Sequence, residues 1–212
     1  MKTKAPEHAV RVNPIVARDI PVAVRERALA RPSVVEDLSD HFRAQGWNLS
    51  VNFGSFTNPT AWDGILIGPA VTARYAPKSV PSPENHLGHQ AIAQACPPGS
   101  IVLMDARQVR GAVLGGRAAM TLKAGGAAAC VVDGMGRDFS EVNESGLVVR
   151  TRESGIEGGR ASAQLVEIGS VVVINGVSIQ SGDTLLMNRW GLVAIPGWIS
   201  WDDVLEWMDT TP

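Results

Sequence analysis

Residues 133–141 read Asp-Gly-Met-Gly-Arg-Asp-Phe-Ser-Glu and set one guanidinium and two carboxylates, Arg137, Asp138 and Glu141, just beyond an apolar run. Arginine offers a planar fork suited to a carboxylate, whereas the two acids are hard oxygen donors suited to a divalent cation. The run before them, Ala-Ala-Ala-Cys-Val-Val at 127–132, is too apolar to face water and predicts a buried strand. Gly134 and Gly136 predict a turn that ends this strand. The three charged residues then project from a fixed edge. A second candidate lies upstream, where Gly115 and Gly116 precede a predicted helix at 117–124. Glycines let a backbone approach a ligand, and the free amides at a helix start attract an anion. Arg117, at the mouth of that helix, is the candidate for reading a second carboxylate. Arg107 and Arg110 flank the same loop and read equally well as solvated loop cations.

The surrounding elements must bring these two segments together. Apolar strands at 101–105 and 127–132 bracket the loop and the helix at 117–124, and this order predicts a right-handed parallel crossover. Residues 115–118 and the turn after 132 then share one sheet edge. Earlier helices are predicted at 22–30 and 34–44, the second with a capping box of Ser33 and Glu36. A strand at 64–73 is expected to break at Gly68-Pro69, and a loop with Pro77, Pro81 and Pro83 to lead to a helix capped by Asn85 that runs to 95. His86 and His89 at its start read as surface or hydrogen-bonded residues. After Glu141 the chain is β-rich, with strands at 147–150, 166–174, 177–179, 184–187 and 192–195 and a hairpin turn at Asn175-Gly176. Gly134-Met135-Gly136 is not a dinucleotide fingerprint: Phe139 stands where its third glycine belongs, and no helix pattern begins there. Ser200 caps a last helix on which Trp201, Val204, Leu205 and Met208 share a face. That face suits packing on the core or a neighbouring subunit, with a lid over the site as the alternative. Asp202, Asp203 and Glu206 are candidates to reach a neighbour's site.

With 212 residues, 45% of them hydrophobic and 19% charged, the chain can bury one sizeable core. The reading is an N-terminal arm at 1–32 that drapes over a partner or neighbour, one domain at 33–197 and a Trp-rich C-terminal helix at 198–212. A formal charge of −2 provides no basic footprint for a phosphate backbone, so nucleic acid is not an expected partner. No run approaches the roughly 18 apolar residues of a membrane span. Cys96 and Cys130 stand apart as core thiols of a reducing compartment, and a cytoplasmic location is expected. The four lysines, Lys2, Lys4, Lys78 and Lys123, occupy the arm, a loop and a helix end, so a Schiff-base mechanism is not expected.

Gly116, twenty intervening residues, Arg137-Asp138, two more residues and Glu141 form a spacing that resembles the RraA-like family, which includes the 4-hydroxy-4-methyl-2-oxoglutarate aldolases. The resemblance runs from about Val34 to Pro196. It is carried also by Gly68-Pro69-Ala70-Val71-Thr72, by Pro98-Gly99 before residues 101–105, by Asp133-Gly134 and by Gly182-Asp183 followed by residues 191–196. It implies an α/β fold, the swivelling β/β/α sandwich with mixed parallel and antiparallel strands, assembled as a homotrimer or hexamer with its active site between subunits. It implies a lyase that uses Mg²⁺ or Mn²⁺ on a small anionic 2-oxo acid and releases pyruvate. Arg137 would hold the oxo acid, Asp138 would bind the metal, and amides of Gly115, Gly116, Arg117 and Ala118 would bind the pyruvyl carboxylate. The aldolases carry an acid where this chain has Gly116. Members with glycine there carry an acid where Glu141 stands, as do the family's oxaloacetate decarboxylases and its ribonuclease-regulating member. Arg117 and Ala118 replace a leucine pair, and Asn188-Arg189-Trp190 replaces an acidic segment. Decarboxylation needs no base on the substrate, which favours it over aldol cleavage. A non-catalytic, protein-binding regulator and a metal lyase with a specialised substrate are the alternatives.

Overall fold

The computed structural model describes residues 9–78 and 86–210. Lys2, Lys4, Pro81, Pro83 and the expected helix cap Asn85 lie outside them. In chain order the elements are β1 (Arg11–Val12), α1 (Val22–Ala30), α2 (Val34–Ala44), β2 (Ser50–Asn52), β3 (Leu66–Pro77), α3 (His89–Gln94), β4 (Ser100–Asp105) and α4 (Gly116–Ala124). There follow β5 (Ala127–Gly136), α5 (Phe139–Glu144), β6 (Val148–Ser154), β7 (Ala163–Ile168), β8 (Val172–Ile174), β9 (Val177–Ile179), β10 (Thr184–Met187), β11 (Gly191–Ile195) and α6 (Trp201–Thr210).

One sheet runs β2-β11-β10-β3-β4-β5-β6, with β7 beside the far half of β3 and β1 beside β7. β3, β4, β5 and β6 are parallel, and β2, β11, β10 and the first half of β3 are antiparallel. The two-residue period of β5 divides the core. Cys130 and Val132 meet Leu122 and Val142 of α4 and α5, while Ala129 and Val131 meet Ile174 and Ile179 of the separate β8–β9 hairpin. A third cluster covers β10 and β11 with α1, α2 and α6. The result is the expected α/β architecture of mixed parallel and antiparallel strands. Asn175 and Gly176 both have positive φ, 48° and 83°, as a two-residue hairpin turn of this twist requires.

Four local expectations are corrected. β3 continues through Gly68-Pro69, because Pro69 falls at the last pair of the β10 ladder and Ala70 begins the β4 ladder. At Gly68 a Cβ would lie 2.0 Å from the Gly99 carbonyl oxygen, so the glycine serves close approach of two backbones. β5 likewise extends through Gly136 with a register shift against β6, and a Cβ at Gly134 would lie 2.8 Å from the Ala106 carbonyl oxygen. The run at 166–174 is two strands separated by a turn at Gly169, where φ is 83°. The Ser33 capping box does not form: the Ser33 hydroxyl donates to Asp37 at 2.6 Å, and Glu36 accepts from Asn188 Nδ2 at 2.8 Å. The described part of the N-terminal arm packs on its own chain, with Val24 and Ala28 of α1 fully buried against the α2 and α6 cluster.

Candidate functional site

The loop before α4 is zipped onto the end of β5. Val113 N–H donates to the Met135 carbonyl at 3.0 Å, and Arg137 N–H donates to the Leu114 carbonyl at 3.0 Å. These bonds set Gly115 and Gly116 beside Arg137 and Asp138, as the crossover predicted. The helix start is uncapped by any side chain, and the first intrahelical bond runs from Ala119 N–H to the Gly115 carbonyl at 2.9 Å. The amides of Gly116, Arg117 and Ala118 therefore precede the helical ladder and point out of its positive end.

Asp138 takes the left-handed conformation, φ 55° and ψ 44°, and opens α5, a helix that the sequence reading placed nowhere. Aspartate tolerates this conformation better than most residues. One turn on, α5 carries Glu141 back over the start of α4. A Cβ at Gly116 would lie 2.2 Å from Glu141 Oε2 and 2.3 Å from Glu141 Cβ, and one at Gly115 would lie 2.8 Å from Asp138 Oδ2. The two carboxylates are thus neighbours over the two glycines. The Arg137 Nε lies 3.3 Å from Asp138 Oδ2, and its Nη1 donates to the Ile156 carbonyl at 3.4 Å.

Gly115, Arg117, Ala118, Arg137, Asp138 and Glu141 line an open cleft of about 750 Å³, and Gly116 is buried beneath Glu141. Arg117 is exposed there and forms no ion pair among the described residues. The cleft also recruits His89 and Arg160, which sequence reading did not assign to it. The signal for His89 was weak, since α3 begins after a left-handed Gly88 rather than at a polar cap. Its Nε2 stands 2.6 Å from the Val113 carbonyl oxygen, the geometry of a donating N–H. Burial pushes its pKa down, opposed by that bond. His86 precedes the helix.

Other candidates fall elsewhere. Arg107 pairs with Asp133 at 3.2 Å and Arg110 with Glu157 at 3.2 Å. Asp133 faces the hairpin side of the sheet, where it accepts from Arg152 Nε, from Asn175 N–H at 2.8 Å and from Arg107. Burial alone would raise its pKa, but these donors outweigh it and hold the carboxyl below the usual range. Asn188 stitches the β10–β11 turn, accepting from Trp190 N–H at 2.9 Å, and that turn lines no part of the cleft. Helix α6 packs on α1 and α2, with Val204 and Trp207 buried, and does not cover the cleft of its own chain. Cys96 and Cys130 are free thiols, and burial pushes Cys96 up to about 11. Among the described residues no group of three His, Cys, Asp or Glu is gathered. The Asp138–Glu141 pair suits a hard cation that keeps water and substrate oxygens in its shell rather than a closed cage. No helix among the described residues is long and apolar enough to cross a membrane.

The chain belongs to the RraA-like family, whose model, described as Aldolase/RraA, matches residues 35–194. This family includes aldolase and decarboxylase members as well as RNase-inhibiting regulators. Comparison with curated proteins finds no match. Among solved structures, a chain described as one of the novel cellulases from microbes associated with the gut ecosystem superimposes with a TM-score of 0.76 at 19% identity, covering 92% of this chain and 87% of that one. An unusual member of the RNase ES inhibitor RraA protein family from Streptomyces coelicolor gives 0.71 at 18% identity, covering 91% and 92%. The RNA-processing inhibitor RraA from Thermus thermophilis gives 0.60 at 22% identity, covering 79% and 94%. These likenesses show the shared fold.

Proposed function

We propose that this protein is a divalent-metal-dependent lyase acting on a short anionic 2-oxo acid, with oxaloacetate decarboxylation as its first reaction to test. The observation that carries this reading is the overlap of Glu141 with the space above Gly116, beside Asp138 and the uncapped amides of α4. An acid stands over the helix start even though the chain lacks one at position 116. Two carboxylates beside an anion cradle would repel an anionic substrate unless a cation lay between them, which supports Asp138 and Glu141 as the groups that would hold Mg²⁺ or Mn²⁺. Lewis-acid polarisation of the 2-oxo oxygen is the chemistry such a cation supplies when bound.

The protein's own groups supply the rest. Amides of Arg117 and Ala118, on the cleft wall, receive the carboxylate next to the ketone, and Gly115 leaves room for it. Arg117 and Arg160, on the cleft wall, suit the distal carboxylate. When the C3–C4 bond of oxaloacetate breaks, carbon dioxide leaves and the electron pair moves toward the ketone oxygen, where the Arg137 guanidinium stabilises the charge. A proton from water then reaches C3 and gives pyruvate. The same polarity serves cleavage of a 4-hydroxy-2-oxo acid, but that reaction also needs a base for the hydroxyl.

Purified protein is to be assayed for pyruvate with oxaloacetate and with 4-hydroxy-2-oxo acids, with Mg²⁺ or Mn²⁺ and with EDTA. Metal-dependent release is expected, lost in Asp138→Ala and reduced by about 10²- to 10³-fold in Arg137→Ala. Absence of pyruvate from every substrate, with no effect of EDTA, would overturn the lyase reading and leave the regulator as its successor.

A further inference from the structure

A separate cavity of about 290 Å³ lies between α2, the loop after it and α6, and it shares no lining residue with the cleft. Five ring-bearing side chains follow one another around it. Trp207 is 5.4 Å from His41, His41 is 5.7 Å from Phe42, Phe42 is 5.6 Å from Trp47, and Trp47 meets Trp198 edge-on at 4.9 Å, centroid to centroid. Phe42 and Trp207 are also core residues, but Trp198 is 64% exposed at the lip. Its edge-on contact with Trp47 leaves most of the ring open among the described residues. Asp203 lines the same cavity, and its carboxylate forms no ion pair among the described residues. Among the described residues the lining contains neither lysine nor arginine, His41 being its one basic side chain, and Asp202 and Glu206 add negative charge on α6.

Aromatic faces carry negative potential and attract cations, most strongly when the cation is poorly hydrated. Indoles of α6 already meet guanidinium groups: Arg18 lies 3.6 Å from the Trp201 centroid and Arg31 lies 5.4 Å from that of Trp207. Arg31 is outside the lining and is paired with Asp37 at 2.7 Å. A carboxylate with no ion pair among the described residues, beside a belt of rings, disfavours an anion and favours a cation over a neutral guest. The volume is at the small end for a ligand pocket, which suits a compact ion. We propose that this cavity is a binding site for a small alkylated ammonium ion, with the Trp47, Trp198 and Trp207 rings around its methyl groups and Asp203 as its counter-charge. The site is independent of the lyase reading.

The test is calorimetry and tryptophan fluorescence on the full chain, titrated with tetramethylammonium and with choline, and with 3,3-dimethylbutanol as the uncharged analogue of choline's shape. One saturable site per chain is expected, with the neutral alcohol weaker by about tenfold. Trp198→Ala and Asp203→Asn alter exposed side chains, and each should weaken the cations by about fivefold. Equal binding of alcohol and choline, titrations that do not saturate, or affinity that survives both substitutions would overturn the proposal. Loss of self-association in Trp198→Ala without cation binding would assign the rings to a second copy of the chain instead.

Discussion

The exchange between positions 116 and 141 is the most informative residue-scale feature of the cleft. A side chain at 116 would collide with the Cβ of Glu141 as well as its flexible tip, so the two positions cannot both be filled without moving α5. Gly116→Asp is therefore expected to displace Glu141 and lower kcat/KM for pyruvate release by about 10²-fold. Gly116→Asp combined with Glu141→Gly, which removes the colliding Cβ as well as the carboxylate, should recover most of that loss, and a double variant no better than the single one would show that Glu141 is needed where it stands. Asp133 has a different role, tying Arg152, Arg107 and the β8–β9 hairpin to the sheet. Asp133→Asn should cost about 3–5 kcal/mol at neutral pH in denaturant unfolding. Because its folded pKa is depressed, its contribution is complete above the unfolded carboxyl value, about 4, and is lost as pH falls through the folded value. The gap between wild type and variant should narrow with acidification.

At the scale of elements, one predicted cap forms and another does not, and their difference is measurable. The Ser200 hydroxyl accepts from Asp203 N–H at 3.0 Å, whereas Ser33 makes no capping bond. Ser200→Ala should cost about 1 kcal/mol in urea unfolding. Ser33→Ala, which removes only an exposed bond to Asp37, should stay within about 0.5 kcal/mol. Equal effects would contradict the caps described. The glycines of β3 and β5 belong to the same scale: Gly68 and Gly134 read as breaks in the chain because glycine often ends a strand, yet both are places where another backbone passes too close for a side chain.

At the scale of the whole molecule, the cleft is open on one side, and Ile156 beside it is 97% exposed although its carbonyl accepts from Arg137. Met120, on the outer face of α4, is 46% exposed. Exposed apolar side chains on segments that border the cleft fit a site completed by a neighbouring copy, as a trimer would provide. Sedimentation should find a homotrimer or hexamer, and Ile156→Asp should lower both assembly and pyruvate release. A monomeric wild type with full activity would defeat the shared-site expectation.

The sequence by itself determined the parallel crossover, because its strands are wholly apolar and its helix begins at a glycine pair, and it determined the segments 115–118 and 137–141 as the ones to meet. It determined the hairpin turn at Asn175-Gly176, since both residues tolerate positive φ. Tertiary structure decided what local pattern cannot encode. Helix α5 has only six residues and a single buried position, Val142, too short to show periodicity, yet it places Glu141. Asp133 and Arg137 are close in sequence, but β5 directs Asp133 to the hairpin face and its end carries Arg137 to the cleft. His89 and Arg160 joined the cleft, and Trp47 met Trp198, through contacts between segments far apart in the chain. Such meetings depend on how faces pack rather than on the residues within any one segment.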